Sequence, residues 1–357
     1  MLTRTRCLLM AAACLAVVTA SGCGGVSAEP EAKSNASAAT TGDPKWDKVV
    51  RAAEREGQVN LYSVMLPVIN ERLEKAFEEA YPKIDLKVTR VLGDKIDSTL
   101  DAERTTGRGG ADVVNHTNLP WIQGGLKAGY FVDAVGPNAI KPEWTGKYLR
   151  DGKLQTSLFT VLGIATNKSV TDTEVKDYTD LLKPELKGGK IGVVDPFVPS
   201  LAAFYAFLEK NYGGEKFLRD LAAQKPVVYQ SAVPMEQALI AGEIAVGSWV
   251  TSAGIKDAAS KGAPVEFVFP PKAFAAGNTT YILKWAKHPN AAQVLMDFLA
   301  TREGQTAIAK DNVSPLDGIE GTLGPASTVS SGDVKTQLAN AEWGKEYYDR
   351  WQDIFGR

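Results

Sequence analysis

Between about residue 58 and residue 270 the chain keeps returning to one unit: a short β-branched run, a polar or glycine-bearing turn, and a segment with helical apolar spacing. Val59-Asn60-Leu61-Tyr62 empties into Ser63 to Leu66, and Pro67 then opens a helix with Ile69, Leu73, Ala76 and Ala80 on one face. Ile84 to Val91, a helix over Lys95 to Thr105, a break at Gly107, Gly109 and Gly110, and the run Ala111 to Val114 repeat it. A second series holds the runs Ile191 to Val194, Val227 to Tyr229, Ile244 to Gly247 and Val265 to Phe269, with helical segments from Leu201, Glu215 and Pro234 between them. Parallel neighbours need a long crossover, usually a helix, so the alternation predicts α/β architecture: mixed, mainly parallel sheets flanked by helices.

The two series are separated by a long β-rich stretch, Leu154 to Ala165, and the second ends at Pro270-Pro271. Helical segments follow at Pro289 to Thr301, Glu303 to Lys310 and Val334 to Phe355, each with an apolar face that needs cover. A chain of 357 residues has length for about two domains at roughly 150 residues each. Accordingly, 45–160 together with 272–357 are expected to form one lobe and 161–271 the other.

Arg4 and Arg6 precede the apolar run Cys7 to Val18, which is too short to span a bilayer and reads as an export signal over residues 1–22. Ala20-Ser21-Gly22-Cys23 resembles a bacterial lipobox, which implies that Cys23 becomes the lipidated first residue; an ordinary signal with a chance cysteine is the alternative. Residues 23–44 are small and polar and read as a flexible tether to the outer face of the membrane.

Forty Lys and Arg stand against 42 Asp and Glu, a balance that gives no electrostatic footprint for nucleic acid. Only two histidines and three cysteines occur, and Cys7, Cys14 and Cys23 all lie near the amino terminus, so a structural zinc site in the folded body lacks ligands. Gly-x-Ser-x-Gly, Ser-x-x-Lys, the phosphate-cradling Gly-x-x-x-x-Gly-Lys-Ser/Thr and Gly-x-Gly-x-x-Gly are all missing, which removes the usual nucleophile and nucleotide signatures.

What remains are polar strand ends, where doubly wound sheets place their ligands. These are Ser63, Asn115, His116 and Thr117, Ser200 at a helix amino terminus, and Ser248 to Ser252 with Trp249 and Thr251 among them. They are mostly neutral and suit hydrogen bonding to a polar or anionic solute. His116 reads either as a ligand contact or as a satisfied structural histidine, and Trp249 either as a stacking platform or as packing at a domain seam. His288, before Pro289, reads as a surface residue.

Taken together, Val59-Asn60-Leu61-Tyr62-Ser63, Gly110 to Val114, Gly163 to Lys168, Gly189 to Val193, Ala241 to Ala245, Lys287 to Ala292 and Arg302 to Gln305 resemble, in order and spacing, solute-binding proteins of ABC importers. The resemblance is to the type II periplasmic-binding fold, closest to its ferric-iron-type branch. It implies two lobes joined by crossing strands, a small-molecule ligand trapped between them, permease and ATPase partners, no catalysis, no cofactor and a monomer. Asn278 and Thr279, after the return crossing, join the candidate ligand contacts. Iron-binding members carry adjacent tyrosines after the strand matching Ile244 to Gly247, and Ser248 to Ala253 holds none. A small organic solute is therefore expected, with ferric ion as the alternative and an exported lipid-anchored hydrolase as a third reading.

Overall fold

The computed structural model describes residues 42–91, 94–197, 199–330 and 341–356. The expected signal segment and Cys23 lie outside them. The body opens with α1 (Pro44–Glu56), β1 (Gln58–Ser63), α2 (Pro67–Ala80), β2 (Asp85–Arg90), α3 (Asp94–Thr106), β3 (Val113–His116) and α4 (Leu119–Lys127). After α5 (Pro142–Thr145), β4 (Leu149–Arg150) and the 14-residue β5 (Leu154–Asn167) come β6 (Ile191–Val194), α6 (Pro199–Tyr212), α7 (Glu215–Ala223), β7 (Val227–Tyr229) and α8 (Ala232–Ala241). The chain continues through β8 (Val246–Thr251), α9 (Ser252–Ser260), β9 (Val265–Val268), β10 (Ala273–Ile282), α10 (Pro289–Phe298) and α11 (Arg302–Ala309). We label the final helix, Ala341–Phe355, α12.

Local chemistry explains the first boundaries. Asp43 Oδ1 accepts from Lys45 N at 2.9 Å, Pro44 takes the first helical position, and Gly57 closes α1 at φ 71°, where a side chain would be strained.

The strands join in the order β2-β1-β3-β10-β5-β8-β6-β7. β1 runs parallel to β2 and β3, and β6 runs parallel to β7 and β8. Two antiparallel strands link these halves. β10 pairs with β3 and with the first part of β5, whereas Leu162 to Asn167 of β5 pair with β8 and β9. The first half packs Leu61, Leu73, Phe77, Ile84 and Phe298 together, and the second packs Phe204, Leu208, Leu218, Leu239 and Trp249.

Four features differ from expectation. β8 starts two residues later than expected and runs through Ser248, Trp249 and Val250 to Thr251, so these residues are strand rather than turn. β10 contains Asn278 and Thr279, which were expected to follow the crossing; its alanines and glycine carry little β signal. Although expected with the first lobe, α12 packs on α6 and α7. Trp351 is buried beside Tyr205, Tyr347 Oη donates to Glu209 Oε2 at 2.6 Å, and Arg350 bonds Glu209 at 2.8 Å. Amphipathic spacing reveals that a helix has an apolar face but not which core receives it.

The fourth concerns His288. Its Nδ1 lies 2.8 Å from Asp112 Oδ2, and buried Asp112 also accepts from Asn60 N at 2.8 Å, Lys287 N at 2.7 Å and His288 N at 3.0 Å. The carboxylate thereby ties the start of α10 to the sheet.

Candidate functional site

Register brings the first group of candidates together. Ser63 pairs with Arg90 on one side and Asn115 on the other, Asn115 pairs with Thr280, and Thr280 pairs with Gln155. Directly paired residues project to the same face. Arg90, Ser63, Asn115, Thr280 and Gln155 therefore form one polar row across five strands, level with the carboxyl ends of β1, β2 and β3.

Most of this row is pinned. Ser63 Oγ donates to Asn70 Oδ1 at 2.8 Å and accepts from Met65 N at 3.1 Å, which sets the turn from β1 into α2. Asn115 Nδ2 donates to Thr280 Oγ1 at 3.0 Å and to Ser157 Oγ at 3.3 Å. Arg90 Nε donates to Met65 O at 2.9 Å. Yet Asn115 Oδ1 and both amide atoms of Gln155 are buried without a hydrogen-bond partner. Native interiors rarely leave such groups unpaired, so this row is a place for a bound molecule or ordered water.

His116 projects to the opposite face and is 1% exposed. Its Nδ1 lies 2.9 Å from Tyr281 Oη, its Nε2 lies 3.0 Å from Asp97 Oδ1, and Trp121 meets its ring edge-on at 5.6 Å. That enclosure fits a positioning role. Thr279 pairs with His116 and is nearly buried, Thr117 follows β3 half-buried, and Asn278 Nδ2 donates to Thr160 Oγ1 at 2.8 Å beside an irregularity in the β10 ladder.

The second group lies at the ends of β6 and β8. Thr251 N and Oγ1 both donate to Glu236 Oε1, at 2.6 and 2.8 Å. Glu236 thus sits at the start of α9, where a carboxylate complements the helix dipole, while burial pushes its carboxyl above the usual range. Ser252 Oγ is buried and unpartnered, as is Oδ1 of Asp195, the residue after β6. Trp249 is spent on packing: its ring centroid lies 4.4 Å from that of Phe204 and 5.6 Å from that of Phe274. Ser200 is the second residue of α6, and its side chain lies outside the described residues.

Among the described residues no hydrogen bond joins the two groups, and no three His, Cys, Asp or Glu gather so as to hold a metal ion. A concavity of about 610 Å³, lined by Lys141, Lys147, Tyr148, Arg302 and Leu316 among others, includes none of the candidates. Arg90, Asp195 and Glu236 were missed by sequence reasoning. The strand-end rule reaches Arg90 and Asp195 once charged residues are admitted beside neutral ones.

A family model described as bacterial extracellular solute-binding protein matches residues 73–316. A comparison with curated proteins finds no match. Among solved structures, the chain is similar to the substrate-binding protein of an ABC transporter from Agrobacterium tumefaciens, at TM-score 0.69 and 17% identity, covering 85% of this chain and 97% of that one. It is also similar to iron-bound HitA from Pseudomonas aeruginosa, at TM-score 0.61 and 19% identity over 83% and 99% of the two chains. AfuA from Actinobacillus pleuropneumoniae, solved with fructose-6-phosphate, gives TM-score 0.59 and 21% identity over 84% and 99%. These likenesses show the type II periplasmic-binding fold. With more than half its length matched by the model, the chain belongs to the bacterial extracellular solute-binding protein family.

Proposed function

We propose that this protein is the extracytoplasmic receptor of an ABC import system, anchored through lipidated Cys23, which captures a small polar or anionic organic solute and hands it to a permease. The solute would lie between lobes formed by 45–160 with 272–330 and by 161–271, with α12 seated on the second. Ser63, Asn115, Thr117, Ser200, Thr251, Asn278 and Thr279 are its candidate contacts, with His116 and Trp249 behind them. The observation that carries this reading is the buried polar row whose Asn115 Oδ1 and Gln155 amide have no protein partner. Neighbours crystallised with iron and with fructose-6-phosphate support a shared scaffold that serves different ligands. Binding without chemistry is in keeping with the family.

Thermal unfolding of the purified protein against phosphonates, carboxylates, polyamines, thiamine, sugars and ferric citrate tests the proposal. A ligand at about 100 times its Kd stabilises by roughly 2.7 kcal/mol, which gives a visible shift in Tm. One organic class should shift the midpoint while ferric ion leaves the protein colourless. Stabilisation by ferric ion alone, with a visible charge-transfer band, would replace this reading with iron uptake, and turnover of a bound solute would make the protein an enzyme.

A further inference from the structure

Four arginines are half-buried among the described residues: Arg72, Arg90, Arg150 and Arg350. Three have an acidic neighbour, since Arg72 lies 3.9 Å from Asp311, Arg150 3.8 Å from Asp151, and Arg350 2.8 Å from Glu209. Arg90 has none among the described residues. Its hydrogen bond from Nε to Met65 O uses the nitrogen nearest the stem and leaves the two terminal amino groups without an acceptor among the described residues. Burial accordingly draws its pKa down with no carboxylate opposing the shift. The terminal amino groups reach solvent, and a planar two-nitrogen fork with no competing carboxylate is suited to an oxyanion.

Its position gives that fork a use. Arg90 is the last residue of β2, one strand from Ser63 and two from Asn115, in the same row as the unpartnered Asn115 Oδ1 and Gln155 amide. The Met65 bond fixes the stem against the turn into α2, which pre-orients the fork. We propose that Arg90 is the anion-binding residue of the solute site and that the transported solute carries a carboxylate, phosphate or phosphonate group. The proposal rests on the receptor reading above and narrows its ligand to an anion.

The full chain in detergent, as wild type, Arg90→Lys and Arg90→Gln, is titrated with inorganic phosphate, methylphosphonate, citrate and glucose-6-phosphate, and with glucose and putrescine as uncharged and cationic controls. At least one anion should bind. Its Kd should rise roughly 10- to 100-fold in Arg90→Gln and less in Arg90→Lys, which keeps the charge but loses the fork. An anion bound equally by wild type and Arg90→Gln overturns the assignment. Binding of glucose or putrescine alone also overturns it while leaving the receptor reading intact, and binding of none overturns both. Should Arg90→Gln fail to fold, phenylglyoxal labelling of the wild type decides: Arg90 must be modified in the free protein and protected by the bound anion, and unprotected labelling overturns the proposal.

Discussion

The two halves of the molecule secure their strand ends by opposite means. In the first, the ends of β1, β3 and β10 are tied by short polar side chains that bond one another: Ser63 to Asn70, and Asn115 to Thr280 and Ser157. In the second, Glu236 accepts both Thr251 donors at the end of β8, and the same half holds an aromatic cluster of Phe204, Tyr205, Trp249 and Phe274 with Trp351 of α12. Directional bonds are intolerant of small displacements, whereas an apolar cluster responds mainly to lost volume and contact. The first half is therefore the better template for recognition, and the second draws more of its stability from burial.

The largest expected effect tests the apolar half. Trp351 is fully buried, stacks on Phe355 with ring centroids 4.2 Å apart, and lies 5.5 Å from Tyr205. Trp351→Ala should cost about 3–5 kcal/mol, read as a lower midpoint in urea unfolding. A loss under about 1 kcal/mol would mean that α12 is not part of the second core. In the polar half, Asn115→Ala removes two donors and leaves Ser157 and Thr280 hydroxyls short of a partner, for about 1–3 kcal/mol. The same variant should abolish the ligand-induced shift in Tm, whereas Trp351→Ala should lower the starting Tm and keep the shift. If both variants lose it, the division of labour between the halves is wrong.

The alternation of strands and helices was legible because backbone periodicity and β-branching act locally. β6 and β7 fall on the residues expected, and β1 and β3 differ by a residue or two. β10 was not, since Ala273 to Ile282 becomes a strand through pairing with β3 and β5 rather than through its own composition. Ser63 and Asn115 were legible as strand ends. Arg90 stood out only once the other half-buried arginines proved to be paired, and Glu236 reaches Thr251 from the middle of α8, a contact that sequence spacing does not encode. Trp249 and α12 show the same boundary: a sequence displays an apolar surface, but the tertiary partner decides what it covers.

Glu236 offers a smaller, pH-dependent test. Its folded-state pKa is raised by burial above the ordinary glutamate value near 4.3, so between those two values the native state binds the extra proton. The stability that the protonated carboxyl contributes is fully present below about pH 4 and is lost as pH rises through the raised value. Glu236→Gln has no such titration. The difference in stability between wild type and variant should thus decline from acid toward neutral pH, and a difference that grows instead would mean that the charged form is the one the second half favours.

The smallest effect decides the role of His116. Tyr281→Phe removes the hydroxyl 2.9 Å from His116 Nδ1, a buried partner whose loss should cost about 1 kcal/mol. Because His116 projects away from the row of Arg90, Ser63 and Asn115, the same variant should leave the Kd for the bound solute within about twofold. A tenfold loss of affinity with folding intact would move the solute to the other face of β3, toward His116 and Asp97. A measurable loss of stability with affinity preserved would fix His116 as the brace behind a site made by neutral side chains and Arg90.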